Sequence, residues 1–358
     1  MQPSRKQQVR NMSEYQEKLA FGCDYMRGAH PAVLRRLSET NMAASAGYGE
    51  DPYSEAAREK IRQACGCETA RVEFLVGGTQ ANATVIDAFL RSWQGVIAAE
   101  TGHIAVHEAG AVEAAGHKVL TLPQISGKLQ AGTLREYLER FYGDATWPHM
   151  VQPGLVYISQ PTELGTLYSL KELEKLRRVC DEYKLPLYAD GARLAYALAC
   201  PENDVSLQDM ARLCDVFYIG GTKCGTLFGE AVVIRDPSKV PNFFTIVKQH
   251  GALLAKGRIA ALQFDALFTD GLYFEIGRTA VDAADRIRDA LKEKGYELCF
   301  GSPTNQLFFA IGKDRLPALE ERVALSIWEE YDEDRYVIRL VTDWATGEEE
   351  IQELIALL

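Results

Sequence analysis

The sequence predicts an α/β fold in which a mostly parallel sheet is covered by helices and followed by a smaller α+β unit. Three observations lead there. Its strand-like runs are apolar almost throughout instead of alternating with polar residues, which is the pattern of strands buried on both faces. These runs alternate with amphipathic, helix-like segments from about Arg71 to Ile234. Beyond about Asn242 the alternation gives way to a different pattern, and 358 residues exceed what one core usually serves. The expected organisation is an N-terminal arm over 1–20, a large domain over 21–245 and a small C-terminal domain over 246–358.

In chain order, the expected strands of the large domain are RVEFLV (71–76), GVIAAE (95–100), HKVLTL (117–122), LVYIS (155–159), LPLYAD (185–190), DVFYIG (215–220) and EAVVI (230–234). Ser169 and Glu172 form a capping box that opens the helix LKELEKLRRVCDEYK ahead of LPLYAD. In the small domain a helical stretch precedes NQLFFAIG, another helix precedes YVIRLV, and a terminal helix is expected to be capped by Thr346 and Glu349. The first 20 residues are polar and read as an arm or a frayed helix.

A formal charge of −11 argues against nucleic acid or an anionic membrane as the main partner, since either needs clustered basic residues. No apolar run approaches the ~18 residues of a spanning helix, and the start lacks the apolar centre of a signal peptide, so the chain reads as cytosolic. Eight scattered cysteines show neither a paired zinc pattern nor a dense disulfide framework, and reduced thiols are expected.

In a parallel sheet, ligands bind beyond the carboxyl ends of the strands, so the polar residues at those ends carry the chemistry. After RVEFLV come Gly77, Gly78 and Thr79 at the start of a helix, which offers a phosphate free N–H groups and the helix dipole. A capped turn explains the same residues. The order is not that of a Walker A loop. LPLYAD ends on Asp190, a residue that an N-cap also explains. Lys223 lies in GGTKCG, one strand further on, where an isolated lysine would be a solvated loop residue. Together, a phosphate-binding turn, a carboxylate and a lysine at neighbouring strand ends are the parts that pyridoxal 5'-phosphate requires.

YGEDPYS (48–54), GGTQAN (77–82), GHIAVHEAGA (102–111), DGARL (190–194), GGTKCG (220–225) and IRLVTDWAT (338–346) occur in an order and spacing that resembles the threonine aldolases. That family belongs to the β-eliminating lyase group of fold-type I pyridoxal-phosphate enzymes. The resemblance covers most of the chain. It implies a fold-type I, transferase-like fold and an aldolase that cleaves L-threonine or L-allo-threonine to glycine and acetaldehyde. By the same resemblance Lys223 is the Schiff-base lysine, Asp190 partners the pyridinium nitrogen, Gly78 and Thr79 hold the phosphate, and His103 stacks on the ring. Arg193 and Arg339 are implied to bind the substrate carboxylate, to which a guanidinium fork is suited. His149 matches an active-site histidine that could help remove the hydroxyl proton, and Arg258 matches an arginine reaching a phosphate across a subunit boundary.

A homodimer or homotetramer with shared active sites is therefore expected. Cys23 near the substrate carboxylate, Gly77 in the phosphate turn and Cys224 after the lysine depart from the family pattern. The order around His103 and His107 does not fit a zinc protease, and no metal is expected. Another reaction of the same cofactor (β-elimination, transamination or racemisation) and a catalytically silent binding module stand as alternatives.

Overall fold

Each of the seven apolar runs between residues 71 and 234 forms a strand, and all seven join one sheet. The structure is a computed structural model that describes residues 18–358. In chain order its strands are β1 (Leu19–Ala20), β2 (Arg71–Leu75), β3 (Gln94–Ala99), β4 (Lys118–Leu122), β5 (Gln124–Ile125), β6 (Lys128–Leu129) and β7 (Gln152–Ser159). They continue with β8 (Leu187–Asp190), β9 (Val216–Gly220), β10 (Glu230–Ile234), β11 (Gln306–Gly312), β12 (Val323–Ala324), β13 (Ser326–Glu330) and β14 (Arg335–Val341).

The large sheet has the order β2-β10-β9-β8-β7-β3-β4. Only β10 runs against its neighbours, pairing antiparallel with β2 and β9. The apolar runs reflect two buried faces. Along β3, Val96 and Ala98 enter one core while Ile97 and Ala99 enter the other. Along β9, Val216 and Tyr218 oppose Phe217 and Ile219 in the same way.

A three-stranded antiparallel sheet, β11-β14-β13, packs with the C-terminal helix Glu348–Leu357 around a third core. Two of its strands match the apolar runs read from the sequence; the third, β13, was not anticipated because most of its residues are exposed or half-buried. β1 pairs in parallel with β12, so Phe21 closes this third core. The N-terminal arm expected over 1–20 otherwise lies outside the described residues.

The packing does not divide at residue 245. Phe264, Tyr273 and Val281 belong to the large-sheet core, whereas Ala283, Ile287 and Leu291 belong to the third core. The Leu272–Glu293 helix thus contributes to both cores.

The Ser169–Glu172 capping box forms as expected. At the last helix the N-cap is Gly347, which has no side chain to complete a box; only the Glu350 carboxylate reaches back, accepting from the Gly347 N–H at 3.0 Å, while the Thr346 hydroxyl accepts from the Asp343 N–H at 2.9 Å. No helix among the described residues is long and apolar enough to cross a membrane.

Candidate active site

Because β10 enters the sheet antiparallel, its first residue lies at the same edge as the last residues of β2, β7, β8 and β9. A cavity of about 330 Å³ opens at that edge, within the usual range for small-ligand sites of about 300–1,000 Å³. Its lining includes Gly77, Gly78 and Thr79 after β2, Glu163 after β7, and Asp190 and Arg193 at β8. His103, Lys223 and Glu230 also line it. Crossovers between parallel strands bring together residues that are far apart in sequence.

The Gly78–Phe89 helix begins at the cavity with Gly77 as N-cap and no side-chain cap. Its first N–H groups and positive dipole end are therefore free for an anion. A side chain at Gly78 would place Cβ 3.1 Å from the Tyr218 hydroxyl.

Asp190 is buried and held in place by hydrogen bonds. Its Oδ2 accepts from the Tyr157 hydroxyl at 2.7 Å and from Asn82 Nδ2 at 3.1 Å, and its Oδ1 accepts from the Tyr218 hydroxyl and the Ala192 N–H. Burial alone would raise its pKa; the His103 charge and the hydrogen bonds from Tyr218, Asn82 and Ala192 outweigh it, so the carboxyl lies below its ordinary value. Lys223 is the opposite case. Among the described residues its amine makes no hydrogen bond or ion pair, and burial followed by the nearby Arg193 charge holds its pKa below that of an ordinary lysine. An amine so placed is more readily neutral and nucleophilic.

His103 opens a short helix at the end of β3, and its Nδ1–H donates to the buried Glu108 at 2.7 Å. Asn82 Nδ2 donates to the same oxygen at 2.7 Å, which links the histidine to Asp190 through one amide. Burial disfavours the imidazolium, yet Glu108 and Asp190 outweigh that effect and raise its pKa. Beyond His103, His107 lies near the Trp328 ring, and the Arg339 guanidinium sits 5.1 Å from the centroid of that ring.

Arg193 faces the cavity, but its fork is already occupied: Nε and Nη2 donate to Asp24 at 2.7 and 3.0 Å, and Nη1 has no partner among the described residues. Asn305 also donates to Asp24, at 3.0 Å. Among the described residues Arg339 has no carboxylate partner. Its contacts with Gln306 and Ser326, at 3.4 and 3.5 Å, are long, and its buried Nε has no partner among the described residues. Burial and the Arg193 charge lower its pKa, the condition of a cation awaiting an anion. Cys23 approaches Tyr25 instead of lining the cavity.

Like Cys23, Arg339 is not part of the cavity lining, and two further expected site residues are not brought to the cavity by their own chain. His149 is exposed on a short helical turn ahead of β7, and the whole length of that strand separates it from Ser159 at the site edge. Arg258 donates to the carbonyls of Ala43 and Asn41 and to the Ser45 hydroxyl, and it stacks near Tyr53. The sequence reading also passed over Asp24, Glu163 and Glu230. Glu163 follows a strand end, and the rule that singled out Asp190 would have found it. Glu230 was counted as part of an apolar strand, so its charge gave no signal.

The large domain thus defines a ligand-binding α/β class in which a lysine and a carboxylate from adjacent strands face a phosphate-type helix terminus. The sequence pattern of the beta-eliminating lyase family matches residues 22–314, and the chain belongs to that family. It is 29% identical to a low specificity L-threonine aldolase of Pseudomonas sp. (strain NCIMB 10558), over 94% of this chain and 96% of the relative. A threonine aldolase structure from Leishmania major superposes with a TM-score of 0.91 at 40% identity, covering 94% of this chain and 98% of that one. A Thermus thermophilus aspartate aminotransferase shares the fold at a TM-score of 0.68 and 18% identity, covering 100% and 96% of the two chains.

Proposed function

We propose that this protein is an L-threonine aldolase that uses pyridoxal 5'-phosphate to split L-threonine or L-allo-threonine into glycine and acetaldehyde. The observation that carries the reading is that Lys223, whose amine has no partner among the described residues, faces the same cavity as the buried Asp190 carboxylate. The donor set suits the cofactor: the uncapped helix start at Gly78 and Thr79 for its phosphate, the Asp190 carboxylate for its ring nitrogen, His103 for its ring face and Lys223 for its carbonyl. When bound, the cofactor supplies an electron sink for the pair left on Cα. Arg339, assisted by Arg193 Nη1, takes the substrate carboxylate, and Asp24 holds Arg193 in place.

A homo-oligomer fits the exposure of Met42 and Tyr48, 92% and 45% respectively, beside the loop that Arg258 braces. A cytosolic setting agrees with eight free thiols.

The test uses purified protein loaded with the cofactor. Borohydride should fix the cofactor on a peptide containing Lys223, and Lys223→Ala should abolish the adduct. L-threonine should give glycine and acetaldehyde in equal amounts with no keto acid added. Ammonia with 2-oxobutyrate, without glycine, would overturn the aldolase assignment.

A further inference from the structure

Retro-aldol cleavage needs a group that takes the proton from the β-hydroxyl, and the residue expected for that task, His149, lies at the far edge of the sheet. Within the cavity, Glu163 has the required placement. Its Oε1 accepts from the Ser159 hydroxyl at 2.6 Å and from the His103 backbone N–H at 2.9 Å. Its Oε2 accepts nothing among the described residues, and the side chain lines the cavity with Lys223 and Arg193.

The loop that carries Glu163 is pinned at both ends. The Gln160 N–H donates to the Asp190 carbonyl at 2.8 Å, and the Gln160 side chain exchanges two hydrogen bonds with the Tyr168 backbone. Between them, Thr162 and Thr166 bond through backbone and hydroxyl groups. The carboxylate is therefore held in position before any ligand arrives, as efficient proton transfer requires.

We propose that Glu163 is the acid–base residue of the cleavage. Its free carboxylate oxygen takes the proton from the substrate β-hydroxyl. The O–H electron pair becomes the second bond of the aldehyde carbonyl, the Cα–Cβ bond breaks, and its electron pair stays with the glycine fragment. Glu163 then releases that proton to solvent while Cα of the glycine fragment takes one up from solvent, so no proton is gained or lost overall; in the condensation direction Cα loses its proton to solvent and Glu163 delivers one to the aldehyde oxygen. The inference rests on the aldolase reading.

The surroundings of Glu163 support a carboxyl that works in both states. Burial raises its pKa most; the Ser159 hydrogen bond opposes that, Asp190 adds to it and the His103 charge opposes it, and the net shift is upward. Tyr157 and Tyr168 feel its charge and are held in the neutral phenol form by burial, and Tyr25, Arg193, Tyr218, Lys223 and Glu230 are further titratable groups that line the same cavity. A carboxylate with a raised pKa is a stronger base than an ordinary one, which favours taking a proton from a hydroxyl.

The alternative is that Glu163 only caps the helix that begins at His103. Glu163→Gln separates the two, because the amide oxygen can still accept from Ser159 and His103 but cannot take a proton. In cofactor-loaded enzyme, kcat for L-threonine cleavage should fall by ~100-fold or more. Glycine affinity by calorimetry should change less than about threefold, and the acidic limb of the kcat–pH profile should vanish. Ser159→Ala keeps the carboxylate but removes the hydrogen bond that lowers its pKa, so its acidic limb should move to higher pH. If parent enzyme cleaves threonine and Glu163→Gln does so within about threefold with the same limb, the proposal is wrong. An unmoved limb in Ser159→Ala counts equally against it, and settles the matter if the glutamine variant does not fold. Absence of cleavage by the parent would instead defeat the aldolase reading.

Discussion

Arg339 and Arg193 show how two side chains of one type take different roles. A buried guanidinium whose fork is filled by Asp24 is already neutralised, whereas Arg339 has only long contacts to neutral oxygens and an aromatic face. Charged hydrogen bonds contribute about 1.5–3 kcal/mol each, so an arriving carboxylate gains more at Arg339 than at the remaining Nη1 of Arg193. Arg339→Leu should weaken glycine binding by ~100-fold or more, the equivalent of about two such bonds, while the cofactor adduct at Lys223 remains. Titration of the holoenzyme with glycine reads this directly, and parent-like affinity would remove Arg339 from the substrate site. Asp190, Lys223 and Arg339 were visible in the sequence because each is a charge next to, or inside, an apolar run. Asp24 was not visible. Its partners Arg193 and Asn305 lie far along the chain, and nothing local marks a carboxylate as buried.

At the level of elements, the strands were legible because both faces of the sheet are buried, while the orientation of β10 and the placement of His149 were not. Which end of a strand a residue precedes depends on its direction, and a short apolar run such as EAVVI reads alike either way. Arg258, expected to reach a phosphate across a subunit boundary, braces the carbonyls of Ala43 and Asn41 within its own chain. Helix contacts also position Arg193, the N-cap of the Leu194–Ala199 helix. Gly277 of the Leu272–Glu293 helix lets the two helices cross closely, since a Cβ there would meet the Ala195 carbonyl oxygen at 2.2 Å. Gly277→Ala would gain ~1 kcal/mol of helix propensity. The contact is with backbone, which cannot rotate away, so overpacking of about 1–3 kcal/mol should exceed that gain. Urea denaturation should show a net loss of stability, and glycine affinity should fall as Arg193 shifts. A more stable variant would mean that the helices separate without cost.

For the whole molecule, collecting charges at one sheet edge makes stability depend on pH. Glu230 is fully enclosed; burial raises its pKa most, hydrogen bonds from Thr222 and the Gly221 N–H oppose that in part, and the result is a value of about 8. In the unfolded chain the same carboxyl titrates near 4.5. Between those values the folded state holds a proton that the unfolded state has released, so this contribution is complete below pH 4.5 and is lost as pH rises through about 8. Asp190 acts in the opposite sense, because its lowered pKa contributes stability that disappears only as pH falls below the ordinary aspartate range. Lys223 also opposes Glu230 at the alkaline end, since a lowered lysine pKa favours the folded state as pH rises. Subtracting a variant isolates the one residue. For cofactor-free protein, the unfolding free energy of the parent minus that of Glu230→Gln should decline steadily from pH 5 to pH 8 and level off above it. A difference that is flat across this window, or that rises, would mean that Glu230 is ionised in the folded protein and that Lys223 or another cation pairs with it.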